Sequence, residues 1–167
     1  AQLDAFTRAA GRAPDHVDGH QHVHHLPGVR EIVLDGVAAL RPPPTVRSTG
    51  RVSGPGFAVK RALIEHTGGR ALARELAQRG LRHNAVLLGC YDFEALDYRA
   101  LMRGWLAAAP AAGALLFCHP GPAEAADPIA AARARERAYL ASDDFARDLA
   151  EAGVELASSC LFLGGRA

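Results

Sequence analysis

The feature that most constrains this chain is an apolar run that stops on a histidine. Ala114-Leu115-Leu116-Phe117-Cys118 has the length of a strand and no polar alternation, and it is bounded by Gly113 and by His119-Pro120-Gly121. A strand without alternation has to be covered on both faces, as a parallel strand between layers is. A second compact run, Ala85-Val86-Leu87-Leu88, reads the same way, and shorter strands are expected at residues 15–18, 45–47 and 154–157. Helical patterns fill the intervals, so the chain reads as an α/β protein with a parallel sheet covered by helices. Five strands are too few for a closed eight-stranded barrel. A section of a (β/α) barrel, or a small open sheet, fits the count.

The helices follow from spacing and from their stops. Leu3, Phe6 and Ala10 keep a helical period from the first residues, and the chain opens without Met, as though it were entered mid-helix. Pro27 suits a first helical turn before the stripe Val29, Ile32, Val33, Val37 and Leu40, and Pro42-Pro43-Pro44 ends that helix. Residues 57–79 read as helix interrupted at Gly68-Gly69. Residues 94–109 read as a helix with Leu96, Leu101, Trp105 and Leu106 toward the core. Two more are expected over 129–141 and 143–152, the second with Ser142 as its N-cap.

Composition narrows the function classes. A net charge of +1 provides no field to recruit nucleic acid or an anionic membrane. No segment approaches the ~20 apolar residues of a membrane span. Cys90, Cys118 and Cys160 are odd in number and match no zinc spacing, so they read as small buried residues in a reducing compartment. A cytoplasmic enzyme or domain is expected.

Candidate chemistry sits in two places. His16, His20, His22, His24 and His25 crowd into ten residues with Asp18 among them. An extended stretch puts His16, Asp18, His20, His22 and His24 on one face, whereas a helix pairs His20 with His24. Either way imidazoles converge, as nitrogen and oxygen coordination of a divalent ion requires. The second place is His119, at the C-terminal end of the most apolar strand, where α/β proteins place their sites. Arg47 ends another strand and could reach a substrate. Arg133 and Glu136 read as a surface pair on a helix, His66 and His83 as surface residues, and Trp105 as core.

The order of these segments resembles a known family. Pro14-Asp15-His16-Val17-Asp18-Gly19-His20-Gln21-His22-Val23-His24, with Pro27 after it, is similar to the His-rich signature of YdjC-like carbohydrate deacetylases. Leu116-Phe117-Cys118-His119-Pro120-Gly121 resembles that family's L-M-C-H-P-G. Asp127-Pro128, Arg133, Glu136, Leu140 and Gly153-Val154-Glu155-Leu156 resemble its tail. The resemblance implies a β/α barrel-like fold and hydrolysis of the acetamide of an amino sugar. It also implies one divalent ion, Mg²⁺ or Zn²⁺, held by an Asp and a His of an N-terminal part together with His20, with His24 and His22 next closest. His119 becomes the acid of the reaction, Arg47 a substrate contact, and Asp18 a partner that orients an imidazole. The family's Asp-Asp-Phe-Gly motif has no counterpart before residue 16. Residues 1–167 are therefore expected to be the C-terminal two-thirds of a single domain, inactive alone and with a sheet edge covered by a second copy or by further chain. A small-molecule or oligosaccharide substrate and a homo-oligomer are expected, with no nucleic acid and no membrane. The rival readings are an amidohydrolase, a histidinol-phosphatase-like phosphoesterase, and a non-catalytic metal-binding α/β domain.

Overall fold

The computed structural model describes residues 2–124 and 126–158. Among these, four short strands alternate with helices. In chain order the elements are α1 (Gln2–Ala10), β1 (His16–Val17), a 3-10 turn (His20–His25), α2 (Val29–Ala38), β2 (Thr45–Val46), α3 (Ala58–Ile64), a π turn (Glu65–Gly69), α4 (Arg70–Gln78), β3 (Leu87–Leu88), α5 (Tyr98–Ala107), β4 (Leu115–Leu116), α6 (Ala130–Leu140) and α7 (Asp143–Glu151).

All pairing among the described residues is parallel. His16 registers with Thr45 and Val17 with Val46, while Leu87 registers with Leu115 and Leu88 with Leu116. Single bridges, Val46 with His83 and Val52 with Leu87, join the two halves. Between those bridges the backbones diverge and the Asn84 side chain fills in. Its Oδ1 accepts from Ser48 N at 2.7 Å and its Nδ2 donates to Ser48 O at 2.9 Å. An amide group can do this because it offers the donor and acceptor of a peptide. The strands thus lie side by side in chain order with helix in every crossover. That is the α/β arrangement expected; the described residues form no closed barrel.

The strand period of two sorts the side chains into layers. Val86 and Leu88 pack with Tyr98, Met102, Trp105 and Leu106 of α5, under Tyr139 of α6. Val46 packs with Leu34 and Val37 of α2 and Leu72 and Leu76 of α4. Leu87 points the other way, into a smaller cluster with Val52, Ile64 and Cys90 to which Leu115 and Phe117 add. Phe117 continues the Leu115 face past the end of β4, and His119 follows at the next step of the same period.

Three expectations are corrected. Residues 154–157 form no strand: Leu156 is 74% exposed, and Val154 N instead closes the end of α7 on Leu149 O. Helix α5 starts at Tyr98 rather than near Glu94, because Asp97 caps it by accepting from Ala100 N at 2.9 Å. Leu96 consequently stays outside, 85% exposed. Pro27 precedes the N-cap Gly28 of α2, where Glu31 accepts from Gly28 N at 2.6 Å. Ser142 is the N-cap of α7 as expected, with its hydroxyl donating back to Tyr139 O. Cys160 lies outside the described residues. No helix among the described residues is long and apolar enough to cross a membrane.

Candidate functional site at the strand ends

The histidine stretch is neither strand nor α-helix. Gln21 (φ 49°, ψ 30°) and His22 (φ 66°, ψ 13°) are left-handed inside the 3-10 turn, so the imidazoles fan out instead of sharing a face. His24 turns inward and is buried; its Nε2 lies 2.8 Å from the Arg47 carbonyl, which can only accept. Burial keeps this imidazole below its ordinary pKa, so it is neutral and carries its proton on Nε2. Its Nδ1 is sealed and packs against Gly19, where a Cβ would collide with it. His25 is also buried, with Nδ1 2.9 Å from Thr49 Oγ1. Gly68 and Gly69 let the π turn approach the backbone of His25 and Thr49, which is why the helical pattern breaks there.

Arg47 is not an exposed strand-end cation. It is 6% exposed, and its Nη2 meets Asp18 Oδ1 at 2.6 Å and donates to Gly19 O at 2.7 Å. Asp18 therefore pairs with this guanidinium; among the described residues no hydrogen bond links it to an imidazole. The pair fixes the corner from which the histidine turn departs.

Phe117 is the centre of the rim. His22 meets its ring edge-on at 5.9 Å between centroids, His119 at 5.5 Å, and the Arg47 guanidinium stands 5.7 Å from its centroid. Phe93 closes on the other side of His119 at 5.0 Å, and Lys60 Nζ reaches the Phe57 and Phe93 rings at 5.1 and 6.0 Å. Among the described residues the non-glycine positions with positive φ are Gln21, His22, Phe57 and Phe93, all in this rim or its turn. Strain concentrated in one place marks a site whose surroundings hold it there. Burial first, then Arg47, pushes the His22 imidazole down to about 3, so it is neutral at any ordinary pH. Among the described residues its Nδ1 is buried without a hydrogen-bond partner.

His119 is held from beneath by α6. Glu136, fully buried, accepts from the His119 backbone N and from Tyr91 Oη at 2.5 Å, and its Oε1 lies 3.9 Å from His119 Nδ1. Arg133 donates to His119 O at 3.2 Å and pairs with Asp127 at 2.5 Å. So Arg133 and Glu136 do not form the surface pair expected. They point at the His119-Pro120-Gly121 loop instead. Burial lowers the His119 pKa, and the Glu136 carboxylate opposes that shift.

The expected residues thus divide. His22, His119 and Arg47 share the Phe117 rim. His24 is a buried structural tie. His20 is exposed at the start of the turn, and among the described residues its imidazole makes no hydrogen bond, ion pair or ring contact. For a divalent ion the donors fit in kind but not in number. His22 offers a neutral imidazole with an unpartnered nitrogen, yet no three His, Cys, Asp or Glu side chains among the described residues gather closely enough to hold a metal. Reading by residue type missed Phe117, Phe93, Lys60, Tyr91 and the inward role of Glu136. Phe117 had a signal, lying two residues before His119 on an apolar strand.

The ordering of these elements along the chain is matched by one family model, that of the YdjC-like proteins, over residues 1–151. The chain belongs to the YdjC-like family. Curated relatives are similar over shorter stretches. The mouse carbohydrate deacetylase is 54% identical over 39 residues, which is 23% of this chain and 13% of the mouse protein. The human carbohydrate deacetylase is 54% identical over 39 residues, 12% of its length, and the Xenopus laevis one 53% over 32 residues, 10% of its length. The chain therefore matches only a small part of these relatives. No solved structure matches it. Within this YdjC-like chain the His-rich stretch and the Cys-His-Pro-Gly turn lie far apart in sequence and meet across Phe117. Parallel strands with a helix in each crossover deliver successive strand ends to the same edge of the sheet, which is what brings the two motifs together.

Proposed function

We propose that the protein carrying this chain is a metal-dependent carbohydrate deacetylase, hydrolysing the N-acetyl group of an amino sugar or of an N-acetylated oligosaccharide. Membership of the YdjC-like family and the name of the curated relatives support the reaction class. The observation that carries it to particular residues is the meeting of His22 and His119 at the Phe117 ring. The barrel-like fold of the family belongs to the same proposal, as do action in the cytoplasm, a homo-oligomer, and no nucleic-acid or membrane partner.

Hydrolysis adds water to the acetamide carbonyl, and the C–N bond then breaks to release acetate and an amine. An amine leaves poorly unless it is protonated as it goes. His119 stands at the rim with a third of its side chain exposed, and can hold that proton and pass it to the departing nitrogen. Arg47 and Asp18 keep the histidine turn beside the Phe117 rim, and the rings of Phe117 and Phe93 restrict how His119 rotates. A bound Mg²⁺ or Zn²⁺ would supply a water of lowered pKa. His22 is the best-prepared ligand of the described residues and the exposed motif histidine His20 lies near it in sequence, whereas His24 is committed to the Arg47 carbonyl, so further donors are needed to complete the set.

The test is free-amine release from N-acetylated chito-oligosaccharides by the intact protein, with and without a chelator. Release that stops on chelation, returns with Mg²⁺ or Zn²⁺, and falls about 100-fold or more in His119→Ala is expected, on the order of what general acid catalysis contributes. Release unaffected by chelator, or by the loss of His119, refutes the proposal.

A further inference from the structure

We infer that Glu136 is the positioning residue of His119, fixing its ring so that Nδ1 faces the carboxylate and Nε2 faces the open side of the Phe117 rim. The catalytic meaning of this arrangement rests on the deacetylase reading; the pairing itself does not.

The starting point is that Glu136 is fully buried in the middle of α6. A buried carboxylate is expensive unless it is hydrogen-bonded and paired. Two donors are in place: the Tyr91 hydroxyl on Oε1 and the His119 backbone N–H on Oε2. Among the described residues no Lys or Arg lies within ion-pair distance of it; Arg133, three residues earlier, is committed to Asp127 and to the His119 carbonyl. The charge closest to hand is the one His119 acquires on protonation, with Nδ1 at 3.9 Å from Oε1.

The geometry around His119 supports one orientation. Among the described residues its Nδ1, sealed from solvent, has no hydrogen-bond partner, and a small rotation toward Oε1 would satisfy it. The exposed third of the side chain is then the part that carries Nε2. Phe93 and Phe117 meet the ring edge-on from two sides and leave little other freedom. The cations that bear on His119, Arg133, Arg47 and Lys60, all disfavour its proton, and burial does too. Glu136 is the group that favours it. A carboxylate that orients an imidazole fixes which nitrogen carries the proton, and loss of such partners generally costs about 10–100-fold in function.

The experiment uses the intact protein carrying this chain and ¹⁵N-resolved NMR of its imidazoles. In the unmodified protein, neutral His119 is expected to carry its proton on Nδ1, whereas a free imidazole prefers Nε2. Glu136→Gln keeps acceptor and donor atoms for the His119 and Tyr91 bonds but removes the charge. It should lower the His119 titration midpoint by about one pH unit or more, as loss of an opposite charge within about 4–6 Å does. Tyr91→Phe, which frees the carboxylate from a competing donor, should raise that midpoint. It serves as the readout if Glu136→Gln does not fold. A neutral Nε2–H form in the unmodified chain, or a midpoint unmoved in whichever variant folds, overturns the inference. In the intact enzyme Glu136→Gln should cut kcat about 10–100-fold with little change in KM. An intact protein without deacetylase activity would sink the reaction and leave the NMR result standing.

Discussion

Replacing Arg47 with alanine should be among the most damaging changes at this site, through the corner it holds. Three contacts are lost: the ion pair to Asp18 at 2.6 Å, the bond to the Gly19 carbonyl at 2.7 Å, and the guanidinium over Phe117 at 5.7 Å. Breaking a fully buried pair costs about 3–5 kcal/mol and an exposed one about 0–1. The Arg47 side chain is 7% exposed but that of Asp18 is 44% exposed, so water screens one partner. That places the pair at about 1–2 kcal/mol. The lost bond to the Gly19 carbonyl, which still accepts from His22 N at 3.0 Å, adds about 1 kcal/mol and the lost ring contact about 0.5–1. Together these come to about 2.5–4 kcal/mol, or a fall of roughly 5–16 °C in Tm for a chain of this size. Asp18→Asn keeps the other two contacts and should cost about 1 kcal/mol. Urea unfolding of the two single variants and the double variant gives their coupling energy, expected near about 1 kcal/mol. A cost below about 1 kcal/mol for Arg47→Ala, or a coupling of zero, would refute the idea that this pair anchors the histidine turn.

Three further outcomes follow from the packing. Gly68→Ala forces a methyl into the His25 carbonyl and should destabilise by about 2 kcal/mol or more in thermal or urea unfolding; a neutral result would mean the π turn does not press on the histidine turn. Asp148, bound by Arg99 through two bonds at 2.9 Å and by Tyr139, has its carboxyl held below the usual range by Arg99 first. Because the folded value is lowered, the advantage over Asp148→Asn is full above the unfolded value of about 4. It disappears as pH falls through the folded value, and stability curves that stay parallel from about pH 7 to about pH 2 would contradict this. Leu156→Asp should change stability by less than about 0.5 kcal/mol, since Leu156 is 74% exposed; a large loss would restore the strand expected at 154–157.

The elements were legible where one local signal dominated. The apolar run 114–118 contains β4 with Phe117 beyond it, and Gly68-Gly69 marks a real break, because in each case the residue type leaves the backbone few choices. Val154-Glu155-Leu156-Ala157 reads as equally strand-like, but a strand exists only with a partner, and sequence alone does not say whether a neighbouring edge is available. Helix α5 shows the same limit at finer scale. Glu94 and Leu96 keep the helical period, yet the cap at Asp97 decides where the helix begins.

The site was legible as a set of residues and not as an arrangement. A face shared by alternate histidines requires regular backbone, and left-handed Gln21 and His22 remove that regularity. His24 is then free to satisfy the Arg47 carbonyl, and His22 to face Phe117. Neither destination is encoded in spacing, because each depends on where β2 and β4 lie relative to β1. Glu136 makes the point more sharply. Its spacing from Arg133 fits a surface pair, and α6 has a solvent-facing side on which such a pair would sit. Only the packing of α6 beneath the His119 loop turns that carboxylate inward. A buried charge in a helix with no basic partner in reach is therefore informative only once the neighbouring loop is placed, and here that loop brings the His119 imidazole to it from the Phe117 rim.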